Sequence, residues 1–198
     1  MPCPFCLIAS GIPPSPKPSI LKSPIGSAYP VLSTPLVVAF LDIAPISAGH
    51  ILVCPREHRT KSTEMTPIES AAIGFWLPVL SRAVMRVIWG GTEGSWNVLQ
   101  ANGAAAGQTV PHSHFHIIPR QAGTDAVDAS MTDEERKNLM LGEGPRVKLE
   151  AEEGERVSKL IIAELAVEVE KLKTEGTVSL GEGLDEVWAT MPTGRLKL

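Results

Sequence analysis

The segment QTVPHSHFHIIPR, residues 108–120, sets His112, His114 and His116 at alternate positions of a chain that holds five histidines in 198 residues. In an extended chain, residues two apart share a face at about 6.5–7 Å, so the imidazoles form a row while Ser113, Phe115 and Ile117 face the other way. A lone histidine is commonly a core or surface residue, whereas three in strict alternation point to chemistry. Two chemistries compete. A metal site takes imidazoles from one strand, since imidazole is the commonest metal ligand. Such a site usually recruits a carboxylate, and the next acidic residue is Asp125. Alternatively, one imidazole is a nucleophile, its far nitrogen held by a hydrogen bond so that the near one carries an unprotonated lone pair. The flanking residues favour this second reading: Gly107 allows close backbone approach, and Gln108 and Thr109 supply donors suited to oxyanions.

A second group is the pair Cys3-Pro4-Phe5-Cys6, which in a reducing compartment suggests metal or redox chemistry rather than a disulfide framework. Redox CxxC pairs follow a strand and open a helix, and Pro4 so near the start of the chain gives no such context. Cys54, inside the apolar HILVCP, reads as a small buried hydrophobe.

Elements must position these groups. PLVVAFLDI (35–43) and GHILVCP (49–55) predict two strands paired as a hairpin across APISAG. Thr66-Pro67-Ile68-Glu69 combines an N-cap, a first-turn proline and a capping-box glutamate, and predicts a helix from Pro67 to Trp89. Its apolar positions Ile73, Leu77, Leu80, Val84, Val87 and Ile88 recur at helical spacing, with Pro78 expected to kink it or remove a hydrogen bond. GGTEG ends it, and SWNVLQ offers another strand before ANGAAAG leads into the histidines. The proline-rich stretch 11–30 reads as an extended surface connection, excluded from helix and central strand. Beyond Arg120 the texture turns charged and helical: Thr132-Asp133-Glu134-Glu135 repeats the capping pattern. Residues 155–173 carry Val157, Leu160, Ile161, Leu165, Val169 and Leu172 on a face that should dock. From Gly176 onward the pattern is weakly structured.

With 43% hydrophobic and 20% charged residues the chain has the composition of an ordinary globular protein. A formal net charge of −4 excludes a nucleic-acid partner held by bulk electrostatics. No secretory signal and no apolar run of about 20 residues is apparent, so no membrane is expected, and an intracellular location, cytoplasm and nucleus, is.

AGQTVPHSHFHIIPR resembles the signature of the histidine triad (HIT) family, His-x-His-x-His preceded by a Gly-Gln pair and followed by apolar residues. AFLDIAPISAGHILVCPREH resembles the family's first hairpin, and CPFCLIASGIP the N-terminus of its zinc-carrying, Hint-like branch. The resemblance covers residues 1–125, with the proline-rich stretch (about 13–30) as an insertion and 126–198 as a C-terminal helical extension. It implies an α+β fold, a five-stranded antiparallel sheet with a long helix packed across it and the triad on a central strand, and a homodimer joining two sheets. It implies that His114 attacks the α-phosphate of a nucleotide conjugate to form a covalent nucleotidyl-histidine that water releases as AMP. His112 and His116 would orient it, Gln108 and Thr109 would contact phosphate oxygens or the leaving group, and no metal is required at phosphorus. Asp42 matches the ribose-binding carboxylate; Phe5, Ile8, Phe40, Ile43 and Leu52 match apolar positions around a purine. Cys3, Cys6, His58 and His112 match a structural zinc set, and His50 a buried orienting histidine.

Departures are Ala101, where the family often has asparagine, with Asn102 beside it as a substitute contact, and polar Ser113 behind the nucleophile. The leading expectation is a hydrolase of adenosine 5′-phosphoramidates or related conjugates. A dinucleoside polyphosphate hydrolase of the Fhit type and a nucleotide-binding scaffold with little turnover are the alternatives.

Overall fold

The computed structural model describes residues 2–23, 26–120, 132–134 and 146–174. Of the second capping pattern Glu135 lies outside the described residues, as does the whole tail from Gly176. The elements are α1 (Pro4–Gly11), β1 (Leu21–Ser23), β2 (Gly26–Ala28), β3 (Pro30–Ser33), β4 (Val37–Leu41), β5 (Ile51–Pro55), α2 (Pro67–Trp89), β6 (Ser95–Gln100), β7 (Phe115–Arg120) and α3 (Ala151–Thr174). β3 to β7 form a five-stranded sheet in the order β3-β4-β5-β7-β6, every pair antiparallel. The fold is α+β, as the sequence implies.

β4 and β5 pair in the expected hairpin, from Val37 opposite Pro55 to Leu41 opposite Ile51, and all ten residues are buried. A strand covered on both faces reads as an unbroken apolar run, which is how VVAFL and ILVCP look in sequence. Alternation sorts their side chains. Val37, Ala39, Leu41, Ile51 and Val53 meet α2 in the main core, together with Ile117 of β7. Val38, Phe40, Leu52 and Cys54 turn the other way, onto Phe5 and Ala9 of α1. The histidines belong to this second face.

α2 begins with the complete capping box: Thr66 accepts from Glu69 N–H, and the Glu69 carboxylate accepts from Thr66 N–H. It ends at Gly90, whose φ of 73° is left-handed. The helix runs through Pro78, which has no N–H to offer the preceding turn. By length and mean hydropathy (1.5 over 18 residues) α2 could cross a membrane, but half of that stretch is buried against the rest of the fold.

α3 starts four residues earlier than the apolar pattern predicts and docks on α2. Val157, Ile161, Leu165 and Val169 form the buried stripe, and Leu160 is exposed. Arg82 and Arg86 of α2 hold the buried carboxylate of Glu168, and Arg86 also pairs with Glu164 at 3.1 Å. A side chain at Gly154 would put its Cβ 2.7 Å from the Tyr29 ring, so this glycine sets the approach of α3 to the sheet. The proline-rich stretch is more regular than its composition suggests. β1 and β2 pair within it, and Pro30 opens edge strand β3, a position where its missing N–H is tolerated.

Candidate active site and metal centre

β7 begins only at Phe115, so of the three histidines His116 alone is in a strand, and β7 is an interior strand rather than the middle one. His112 and His114 occupy the extended residues before it, where the loop after β5 takes over the ladder's role. Ser113 N–H donates to the Arg59 carbonyl at 2.5 Å, and the His112 ring donates to the Pro55 carbonyl at 2.9 Å. Gln108, buried, donates to the Thr60 carbonyl at 2.7 Å and accepts from Gly103 N–H at 2.6 Å. That loop is itself anchored, because Arg59 forks onto Glu69 inside the α2 cap at 3.0–3.2 Å. Burial pushes the Glu69 carboxyl up, but the bonds from Arg59 and Thr66 outweigh it and hold Glu69 below the usual range.

Carbonyls can only accept, so each ring's tautomer follows from its partner. His114 Nδ1 lies 2.6 Å from the His112 carbonyl and therefore carries the proton, leaving Nε2 as a bare lone pair. His50 Nδ1 accepts from Ile46 N–H at 3.2 Å. Its Nε2 must then be the donor in the 2.9 Å bond to His116 Nδ1, which leaves His116 Nε2 protonated. Next to the lone pair of His114 thus stands a ring, 4.9 Å away between centroids, with an N–H free to donate. Burial lowers all of these rings: His50 to about 2, with His116 and Arg146 adding to it, and His116 to about 4, helped by His114 and Arg146. Burial also lowers His114, against the opposing pull of the His112 carbonyl and Asp42. The site is built from neutral imidazoles.

His112 faces elsewhere. Its Nε2–H is held by Pro55, so Nδ1 points at the cysteine pair, 3.5 Å from both Cys3 Sγ and Cys6 Sγ. His58 Nδ1 completes the group 3.2 Å from Cys6 Sγ, and the four donor atoms lie within 4.8 Å of one another. Tetrahedral zinc with Zn–S near 2.3 Å and Zn–N near 2.05 Å requires S···N edges of about 3.6 Å, so the donor set fits that ion. The cysteines do open a helix, α1, with Cys3 at its N-cap. Arg56 ties its far end by donating to the Ala9 and Ile12 carbonyls at 2.5 and 3.0 Å. Burial, then Cys3, push the Cys6 thiol up to about 11, so a bound cation is what would draw out the Cys6 thiolate.

Phe5, Ile8, Phe40 and Leu52 do gather in one cluster, with the Phe5 ring edge-on to His114 at 5.2 Å. Ile43 stands apart from it, 59% exposed. Asp42 is buried, its Oδ1 accepting from Ala44 N–H at 2.9 Å and its Oδ2 3.6 Å from His50 Nδ1. Asn102 ties the end of β6 to the loop after β5, accepting from Ser62 N–H at 2.9 Å. Thr109 is exposed. Gly107 answers a conformational need, φ 85° after the Ala104–Ala106 turn, and nothing crowds its missing side chain. Ser113 is fully buried, its hydroxyl without a partner among the described residues. Arg146, which no motif marks, reaches Asp42 Oδ2 at 3.2 Å.

The profile of the HIT domain matches residues 27–123. The adenosine 5′-monophosphoramidase hnt1 of Schizosaccharomyces pombe is 41% identical over 120 residues, which cover 61% of this chain and 75% of that one. The chain belongs to the histidine triad family. The same yeast's asymmetrical bis(5′-nucleosyl)-tetraphosphatase is 32% identical over 117 residues, 59% of this chain and 62% of its own. A zinc-bound histidine triad protein of Mycobacterium smegmatis superposes with a TM-score of 0.56 at 26% identity, covering 88% of this chain and 98% of its own. The Cys/His cluster agrees with the Hint-like branch of the family.

Proposed function

We propose that the protein hydrolyses purine nucleoside phosphoramidates or related nucleotidyl conjugates at the α-phosphate, releasing AMP. The observation that carries this reading is the bond from His114 Nδ1 to the His112 carbonyl, which leaves a neutral Nε2 lone pair beside a donor on His116. His114 Nε2 attacks phosphorus, the P–N bond to the leaving amine breaks, and a nucleotidyl-histidine forms. The departing nitrogen, protonated in the bound conjugate, leaves as the neutral amine while His116 Nε2–H hydrogen-bonds to it; water then attacks phosphorus, the P–N bond to His114 breaks, and AMP and a proton are released. Asp42 accepts from the ribose, and the Phe5, Ile8, Phe40 and Leu52 cluster flanks the base. Gln108 acts by holding the loops, since both ends of its amide engage backbone.

Cys3, Cys6, His58 and His112 hold a structural zinc, which fastens α1 to the sheet and supplies no step at phosphorus. Edge strand β6 exposes Trp96 and Val98 beside Leu77 and Met85 of α2, an apolar strip that supports a homodimer extending the sheet. The likeness to an adenosine 5′-monophosphoramidase and the cysteine set favour the phosphoramidate over a dinucleoside polyphosphate, for which the likeness to the tetraphosphatase speaks. AMP release from adenosine 5′-phosphoramidate and diadenosine tetraphosphate, with wild type and His114→Ala, is the test. The phosphoramidate should be cleaved far faster and the variant should be inactive. Undiminished turnover by His114→Ala would remove the nucleophile assignment, and a reversed preference the substrate class.

A further inference from the structure

Arg146 lies beyond the matched domain, in the segment that leads into α3, and reaches back to the carboxylate assigned to ribose. Its Nη1 donates to Asp42 Oδ2 at 3.2 Å and to the Ala44 carbonyl at 3.0 Å. Three residues on, Leu149 N–H donates to the Ile43 carbonyl at 2.9 Å, so the segment is laid along the turn after β4 at two points. The contact is part of how the extension docks.

The arrangement leaves specific valences open. A carboxylate has about four acceptor positions. Asp42 Oδ1 uses one on Ala44 N–H and Oδ2 one on Arg146, which leaves one on each oxygen for a hydroxyl proton. A guanidinium has five N–H donors. Only Nη1 of Arg146 has partners among the described residues, and its side chain is 44% exposed, so Nε and Nη2 keep N–H groups to offer a ligand. A ribose diol needs both kinds of partner, acceptors for its two protons and donors for its oxygens. Asp42 alone meets half of that need.

We propose that Arg146 is a specificity-determining residue that completes the ribose subsite, donating to a hydroxyl oxygen of the vicinal diol while Asp42 accepts the hydroxyl protons. The proposal rests on the nucleotide-binding reading of the site and adds to it that the extension selects ribonucleotides. Isothermal titration of AMP and of 2′,3′-dideoxy-AMP against wild type, Arg146→Ala and Arg146→Lys tests it. Arg146→Ala should bind AMP about tenfold or more weakly, the scale of one hydrogen bond from a charged group, with dideoxy-AMP unaffected. Arg146→Lys, which keeps a charged donor, should recover part of the loss. Equal weakening of both nucleotides would assign Arg146 a merely structural role and overturn the proposal. So would unchanged AMP binding, or tighter binding, which would make Arg146 a competitor for the carboxylate. Wild type that binds neither nucleotide would overturn the underlying reading as well, and is thereby distinguished from failure of the Arg146 assignment alone.

Discussion

Burial of neutral histidines makes the fold sensitive to acid, and the sign follows from linkage. His50 and His116 have folded-state pKa values lowered to about 2 and about 4, against 6.5 for the free side chain. Below pH 6.5 the unfolded chain takes up protons that the folded one refuses, so stability is full above that value and falls as pH drops toward the folded pKa. For a group moving from 6.5 to 4 or below, the loss between pH 7 and pH 5 is about 2 kcal/mol, hence about 4 kcal/mol for the pair. His114, lowered in the same direction, adds to it. Against a typical stability of about 5–15 kcal/mol this is a large fraction. Urea unfolding at half-unit steps from pH 7.5 to 5 measures it. His116→Gln isolates one member, because its amide oxygen accepts the bond from His50 without titrating and it leaves the zinc set untouched. The variant should lose about 2 kcal/mol less than wild type over that interval. Identical slopes for the two proteins would refute the claim that His116 is held neutral by its surroundings.

Arg56→Ala should release α1, since one guanidinium serves carbonyls of Ala9, Ile12 and Thr34 and the Ser33 hydroxyl. A loss of about 3 kcal/mol or more in chemical denaturation is expected from leaving buried acceptors unmet. Gly154→Ala should destabilise by about 1 kcal/mol although alanine is the better helix former, because overpacking against Tyr29 (about 1–3 kcal/mol) exceeds the propensity gain of about 1 kcal/mol. A higher melting temperature would show that Tyr29 gives way. Chelation of zinc, or Cys6→Ser, should lower both the melting temperature and, by about tenfold, turnover, the scale seen when a group that orients a site is lost. Full turnover in Cys6→Ser would separate the cluster from the active site.

How far the sequence goes is clearest along the histidine segment. Alternation correctly put Phe115 and Ile117 on the α2 face and the histidines on the other, because that depends only on extended backbone. It did not reveal where β7 starts. Pairing with β5 begins at Val53 opposite Phe115, and upstream of it the backbone bonds to the Arg59 carbonyl rather than to a strand. Capping chemistry marked α2 to the residue because its signals are local. The β1–β2 pair was hidden by prolines that flank it without blocking its few ladder bonds. Arg146 was invisible for the opposite reason. A single arginine 104 residues from its carboxylate carries no spacing to read, and only docking of the extension brings the two together.

The three histidines look equivalent in sequence, and what separates their chemistry is which nitrogen each hydrogen bond leaves free. Pro55 holds His112 by Nε2 and so turns Nδ1 to the cysteines. The His112 carbonyl holds His114 by Nδ1 and so bares Nε2. His50 fills His116 Nδ1 and so sets a proton on its Nε2. One residue, His112, links the two centres, its ring in the Cys/His cluster and its carbonyl on the proposed nucleophile. A zinc bound there would need no contact with substrate to bear on the proposed reaction. Cys3, Cys6, His58 and His112 would hold it, and the His112 backbone so tethered carries the carbonyl that sets the tautomer of His114; in the other tautomer the proposed nucleophile would present an N–H where the lone pair must be.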